Sequence, residues 1–191
     1  REGYYPAHLA RFAITILSSF RGSICLYQGE ELGLPEAELN FEDLVDPYGI
    51  RFWPAYKGRD GCRTPMVWER DGNNAGFSEG ARTWLPIPDS HREHAVDQQE
   101  SLKGSLLNHY RETLAFRKAH ASLVDGPMTF LETNKDLLAF VRGEGEERFL
   151  FVFNLDRSPA EWTPPSDLEI AEEMRLPGFA PGSEESTVML S

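Results

Sequence analysis

The spacing of apolar residues changes once along this chain, near Ser122, and the change divides it into two kinds of structure. Before Ser122, apolar residues recur every three or four positions after Pro6 and again over residues 101–119, which predicts a helix at both places. After Ser122 they alternate in short runs between polar turns, which predicts antiparallel strands. We therefore predict a helical, loop-rich part over residues 1–121 and a small antiparallel β-sandwich domain over residues 122–191.

The second part contains five short apolar runs that we interpret as strands. Polar turns at residues 134–136 and 143–147 separate the first three runs, which predicts hairpins between them. The five predicted strands are residues 128–131, 137–141, 149–153, 160–162 and 187–190.

One more strand is predicted in the first part, over residues 23–27. This run is apolar on both faces, as is typical of a strand in a parallel sheet covered by helices, and the helix before it can end at Gly22. A helix followed by a buried strand indicates an α/β layer. The chain has 191 residues, whereas a complete (β/α)8 barrel needs about 250, so such a barrel could be present only in part.

The charge of the chain argues against several classes of partner. Nineteen Lys and Arg against 31 Asp and Glu give a net charge of −12, which would repel nucleic acid and anionic membranes. The apolar runs fall short of the roughly 20 residues that a membrane span requires. Cys25 and Cys62 are too few for a disulfide framework and lack zinc-binding spacing, so we expect reduced thiols and a cytoplasmic location. Neutral small-molecule substrates are therefore favoured.

Two segments could carry polar chemistry. Glu30 and Glu31 follow the predicted strand, but adjacent carboxylates on a strand point in opposite directions, so one could face a site while the other caps a helix or pairs with an arginine. The second segment, residues 58–66, holds Arg59 and Arg63 in a loop rich in glycine and proline. A fixed guanidinium group can make paired hydrogen bonds to hydroxyls or a carboxylate. It could equally fix the loop to the acidic segment before it.

Histidine and aromatic residues give weaker signals. Aromatic residues are dense over residues 48–84, where they could either stack on sugar rings or form a small core for the loop. Four histidines show no metal-binding spacing, and we expect them to have surface or packing roles: His91, His94, His109 and His120.

Three linked motifs resemble the α-glucosidase branch of glycoside hydrolase family 13. Residues 26–35, Leu-Tyr-Gln-Gly-Glu-Glu-Leu-Gly-Leu-Pro, are similar to the segment after the last barrel strand of that branch. Residues 59–68 resemble its Arg-Asp-x-x-Arg-Thr-Pro-Met-x-Trp loop, and residues 74–78 its Asn-x-Gly-Phe-Ser segment. Together with the Asp-Pro-Tyr-Gly of residues 46–49, the pattern is most similar to bacterial α-glucosidases that act on small α-glucosides.

The resemblance implies the carboxyl-terminal end of a (β/α)8 barrel followed by a small antiparallel β-sandwich. It also implies a retaining mechanism, in which an Asp nucleophile and a Glu acid/base stand about 5 Å apart. The family carries these carboxylates on earlier strands, so no catalytic residue is assigned here and the chain alone is expected to be inactive. The remainder of the barrel is the expected partner. No cofactor or metal is expected within this chain, although the family often carries Ca²⁺ or Mg²⁺ upstream.

The resemblance also implies roles for individual residues. Arg59 aligns with the family's arginine at the −1 subsite, which pairs with an upstream Asp and binds the non-reducing glucose, and Asp60 lies near the same pocket. Glu36 and Asp46 fall in the loop that rims the +1 subsite. Two alternatives stay open: a sucrose-active or transglycosylating relative, such as a sucrose isomerase or hydrolase, and a non-catalytic, glycosidase-like partner subunit.

Overall fold

The computed structural model describes residues 7–133, 136–156, 158–168, 173–174 and 188–190. The chain divides into two compact units, each built from two stretches of sequence. The first unit comprises Arg1–Ala10 and Leu26–Asn108, and the second comprises Arg11–Cys25 and His109–Ser191. The domain boundary predicted between residues 121 and 122 stays a prediction.

Helices occur at both places where the sequence predicts them. The described α-helices are α1 (Ala7–Ser19), α2 (Pro47–Phe52), α3 (Asp89–Arg92), α4 (Val96–Gln99), α5 (Leu106–Ala119) and α6 (Ala121–Val124). Helix α5 starts at Leu106 rather than residue 101, because the Ser105 hydroxyl accepts the Asn108 N–H at 3.2 Å and caps the helix there. No helix in the described ranges is both long and apolar enough to cross a bilayer.

The described strands form one antiparallel sheet in the order β1-β2-β3-β5-β4. Strands β2 and β3 form the predicted hairpin, in which Glu144 lies opposite Glu147 and Gly145 takes a φ of +66° in the two-residue turn. The other predicted turn includes residues 134 and 135, which lie outside the described residues, as does Thr187. The strands are β1 (Met128–Phe130), β2 (Leu137–Glu144), β3 (Glu147–Asn154), β4 (Glu173–Met174) and β5 (Val188–Leu190).

The hydrophobic core of the second unit combines apolar residues spaced by two along a strand with apolar residues spaced by four along a helix. Phe149, Phe151 and Phe153 are spaced by two along β3 and pack with Phe140 and Leu123 as a buried cluster. Residues 12, 16 and 20, spaced by four along and just beyond α1, pack against that cluster. The rings of Phe12 and Phe153 meet edge to face at 5.8 Å. Helix α1 therefore covers the apolar side of the sheet.

Two predicted strands are wrong. Residues 23–27 form no strand, and Ser23, Cys25 and Tyr27 are exposed. A parallel strand exists only through hydrogen bonds to neighbouring strands, and no strand of the described part pairs with this segment. Residues 160–162 also form no strand, and the Trp162 indole instead donates to the Glu132 carbonyl at 3.3 Å.

Two buried arginines donate hydrogen bonds to backbone carbonyls at the carboxyl-terminal end of α1. The side chain of Arg142, with 0% of its surface exposed, donates to the carbonyls of Ser19, Ser122, Leu123, Gly126 and Pro127. The last carbonyls of a helix lack intrahelical partners, and cations are favourable there. Burial lowers the pKa of this guanidinium, and also that of Arg117, whose donors reach the carbonyls of residues 18, 20, 22, 123 and 124.

Candidate functional site

The loop of residues 58–66 is held through the carboxylate of Asp46, which is 2% exposed. Asp46 precedes α2, and its Oδ1 accepts the Tyr48 N–H at 3.0 Å as an N-cap. Its Oδ2 accepts the backbone N–H of Arg59 at 3.0 Å and the Nε–H of the same residue at 3.3 Å. Arg63 Nη1 lies 4.0 Å from that oxygen. The Tyr48 and Arg59 donors hold the pKa of Asp46 below its usual value, against the opposing effect of burial.

Asp60 is also buried, with 1% of its surface exposed. Its Oδ2 accepts the backbone N–H groups of Val45 and Asp46, each at 2.7 Å. Its Oδ1 is buried as well and accepts no hydrogen bond from the described residues. The carboxylate of Asp60 therefore fixes the backbone on which the Asp46 carboxylate stands.

Arg59 differs from both carboxylates because its side chain is 58% exposed. Its Nε faces Asp46, whereas neither Nη1 nor Nη2 has a partner within the described residues. The guanidinium is thus fixed along one edge and presents its other edge outward. The interpretation that Arg59 fixes the loop to the preceding acidic segment is confirmed by this geometry. Its role in binding substrate stays a prediction.

His91 links two further segments to the loop and is 2% exposed. Its Nε2 lies 2.7 Å from the Pro35 carbonyl, and its Nδ1 lies 3.2 Å from the Thr64 hydroxyl. A neutral ring satisfies both contacts when Nε2–H donates to Pro35 and Nδ1 accepts from Thr64. Burial lowers the pKa of His91 and so favours this neutral form. The predicted packing role is confirmed, but no sequence signal pointed to the two polar contacts.

Acidification below pH 6.5 is expected to destabilise this unit. The unfolded chain protonates its histidine near 6.5, whereas folded His91 resists protonation, so stability is complete above 6.5 and falls as the pH drops toward the lower folded pKa. The thermal midpoint measured on both sides of pH 6.5 should fall less in His91→Gln than in the wild type. His8→Gln, which removes an exposed histidine of the same unit, is the control and should keep the wild-type slope. Equal slopes in wild type and His91→Gln would contradict the assignment.

The remaining predicted polar residues are placed separately. Glu31 accepts the Gly29 N–H at 2.9 Å at the start of the turn Glu30–Leu32, which confirms that one of the paired carboxylates caps a helical turn. Glu30 and Glu36 are exposed. Both cysteines are free and exposed. No group of three His, Cys, Asp or Glu side chains in the described ranges could hold a metal ion.

Two tryptophans of this aromatic-rich segment have different surroundings, and stacking of either ring on a sugar stays a prediction. Trp53 packs against the small core of Ala37, Leu39, Leu44 and Leu85. Trp84 remains 54% exposed, with Phe77 edge-on at 5.0 Å and its indole donating to the Arg63 carbonyl at 3.0 Å. It lines a groove of about 620 Å³ together with Arg82 and Asn74. One of these rings therefore builds a core, and another stands at an open groove.

Comparisons with known proteins agree with the motifs. The alpha amylase catalytic-domain model of the alpha-amylase family matches residues 2–126. A probable alpha-glucosidase of Rhizobium meliloti (strain 1021) is 52% identical over 88% of this chain and 30% of its own length. An oligo-1,6-glucosidase of Bacillus cereus is 29% identical over 90% of this chain and 34% of its own length.

A solved structure gives the same result. The crystal structure of an alpha-glucosyl transfer enzyme, XgtA, has a TM-score of 0.79 and 46% sequence identity, and the match covers 98% of this chain and 34% of XgtA. The chain spans about a third of the length of these relatives. The family model covers well over half of this chain. The chain therefore belongs to the alpha-amylase family, with the end of the catalytic barrel followed by a small antiparallel sheet.

Proposed function

We propose that this chain forms the carboxyl-terminal part of a retaining α-glucosidase, which removes the non-reducing terminal glucose from small α-glucosides. Relatives named as an alpha-glucosidase and an oligo-1,6-glucosidase support this proposal. Within this chain, the proposal rests on the geometry of Arg59. Its Nε donates a hydrogen bond to Asp46, and both terminal nitrogens point outward.

The geometry of a guanidinium group explains why this state suits sugar binding. Its five N–H donors lie in one plane, and the Nη1–Nη2 edge can donate two parallel hydrogen bonds. With Nε held by Asp46, Arg59 can offer that edge to the hydroxyls of a glucose in the −1 subsite. The family resemblance places Asp60 near the same pocket, as a candidate substrate-binding residue. Its buried carboxylate, bonded to the backbone of Val45 and Asp46, favours a role in holding the site in place.

The nucleophile and the acid/base are proposed to lie in the part of the barrel outside this chain. A retaining enzyme needs two carboxyls about 5 Å apart, one able to attack and the other able to donate a proton. The carboxylates of Asp46 and Asp60 are both buried. Asp60 accepts two backbone hydrogen bonds, and Asp46 accepts two from the backbone and one from a guanidinium. Such groups are poor candidates for attack on a sugar, and we assign no catalytic residue to this chain. The two carboxyls perform the chemistry, so no cofactor enters the proposal.

The isolated 191-residue chain is expected to hydrolyse nothing. It would supply an arginine to the −1 subsite but not the carboxylate pair that forms and breaks a glycosyl intermediate. The test is incubation with p-nitrophenyl α-D-glucoside, with the chain alone and with the chain joined to the remainder of the barrel. Release of p-nitrophenol by the joined protein only is the expected result. Turnover by the chain alone above the uncatalysed background would place the catalytic groups within it.

Glucosyl transfer is a second candidate activity, and the similarity to an alpha-glucosyl transfer enzyme favours it. Hydrolysis and transfer share the glycosyl intermediate and differ in whether water or a sugar hydroxyl attacks it. Product analysis of the barrel-containing protein, with maltose as donor and excess glucose as acceptor, separates the two activities. New disaccharides formed in place of free glucose would indicate transfer.

A further inference from the structure

We infer that Asp46 is a positioning residue for Arg59, and that Asp46 and Asp60 together set the direction in which the guanidinium presents its outer edge. This inference rests on the proposed function, because it assigns to Asp46 an effect on catalysis through Arg59. It differs from the +1 subsite role that the family resemblance implies for Asp46.

The first support is the chain of hydrogen bonds itself. Asp60 Oδ2 holds the N–H groups of Val45 and Asp46, and Asp46 Oδ2 in turn holds the backbone and Nε of Arg59. Two bonds to one carboxylate oxygen, one from the backbone N–H and one from Nε, fix the Arg59 backbone and one edge of its guanidinium. An exposed arginine without such an anchor would sample many rotamers, because its long side chain has several freely rotating bonds.

The second support is the close approach of two glycines. A Cβ on Gly49 would stand 2.5 Å from the Lys57 carbonyl, and a Cβ on Gly58, which has a φ of +78°, would stand 2.9 Å from Gly49 Cα. The first turn of α2 and the start of the Arg59 loop therefore touch through their backbones. This contact brings the Arg59 N–H within reach of the Asp46 carboxylate. The glycine contact thus places the Arg59 backbone where the Asp46 carboxylate can hold both its N–H and its Nε.

A purely structural role for Asp46 makes a different prediction from a positioning role. As the N-cap of α2, Asp46 stabilises a six-residue helix, and its loss would lower the melting temperature without changing the kinetics of the folded enzyme. As the anchor of Arg59, its loss would let the guanidinium swing away from the sugar. A displacement of about 1 Å in a positioned group can lower the rate about 100-fold.

The test is a double-mutant cycle in a protein that joins this chain to a complete barrel. Asp46→Asn removes the charge that faces Arg59, and Arg59→Ala removes the group that it positions. Asp46→Asn is expected to lower kcat/KM for p-nitrophenyl α-D-glucoside about 100-fold. The double variant is expected to fall no further than Arg59→Ala alone, because the two residues act as one unit. Glu38→Gln, which breaks an exposed ion pair with Lys57 nearby, is the matched control and should keep wild-type kinetics.

The outcomes separate this inference from the proposed function. Wild-type kcat/KM in Arg59→Ala would overturn both. A damaged Arg59→Ala enzyme with a fully active Asp46→Asn enzyme, or losses that add in the double variant, would overturn the inference alone. If Asp46→Asn does not fold, a chemical-rescue experiment takes its place. In that experiment, guanidinium chloride below its denaturing concentration is added to the Arg59→Ala enzyme. An ion held against Asp46 should restore activity several-fold, and no recovery would count against the positioning role.

Discussion

Replacing Arg59 with alanine is expected to lower kcat/KM of the barrel-containing enzyme by about 30- to 1,000-fold, a loss of roughly 2–4 kcal/mol in transition-state binding. Two losses combine in this effect. A charge-assisted contact to the sugar disappears, and the buried Asp46 carboxylate loses its guanidinium partner. The measurement is kcat/KM on p-nitrophenyl α-D-glucoside and on maltose.

Two further variants make this result interpretable. Arg59→Lys keeps the charge but lacks the planar fork, so it should recover only part of the activity. Arg51→Ala removes an arginine of the neighbouring helix α2, one that lies over the Phe52 ring, and should leave kcat/KM unchanged. If Arg59→Ala behaves like Arg51→Ala, the loop of residues 58–66 has a structural role only.

Replacing Arg142 with alanine is expected to destabilise the second unit by about 4 kcal/mol or more. Each buried carbonyl left without a donor costs about 1–3 kcal/mol. Of the five carbonyls that Arg142 serves, Leu123 keeps a donor from Arg117 and Pro127 keeps the Gly143 N–H. The carbonyls of Ser19, Ser122 and Gly126 lose the donor that Arg142 gives them. Those carbonyls belong to the end of α1 and to the segment before β1, so their release separates the helix from the sheet. Hydrogen exchange of the β2 and β3 amides reports the free energy of opening and should show the loss.

Arg148→Ala is the matched control for this prediction. Arg148 lies in the same hairpin, opposite Gly143, and is exposed. Surface substitutions of this kind usually change stability by less than about 0.5 kcal/mol. Similar exchange rates in the two variants would mean that the carbonyls around Arg142 find other donors, and that this buried arginine does not hold α1 on the sheet.

The parts of the fold that the sequence predicts are those whose signal is local. The spacing of two in Phe149, Phe151 and Phe153 and the helical repeat of α1 each appear within a dozen residues, and both elements form. Residues 23–27 show the limit of such signals. An apolar run is compatible with a strand, but its partners decide whether it becomes one, and partners lie elsewhere in the sequence.

Sequence patterns predict the contacts of the candidate site less well than they predict the helices and strands. The motif around Arg59 could be recognised directly, and Asp46 followed by Pro47 carries a helix N-cap signal that could have been used. The bond from Asp46 to Arg59 spans 13 residues. Apart from the N-cap donor Tyr48, the backbone donors that reach Asp46 and Asp60 are the N–H groups of Val45, Asp46 and Arg59. Every residue except proline carries such a donor, so no sequence pattern identifies these contacts.

The interleaved units have a consequence for how this chain is made. Helix α1 finds its core partners on β3, and Phe12 contacts Phe153 only after the 83 residues of Leu26–Asn108 and more have been synthesised between them. At about 5–20 residues per second, the ribosome needs on the order of ten seconds to produce that stretch. During this interval the apolar stripe of α1 has no sheet to cover. The apolar stripe of α1 therefore stays without its β3 partners until Phe153 has been synthesised.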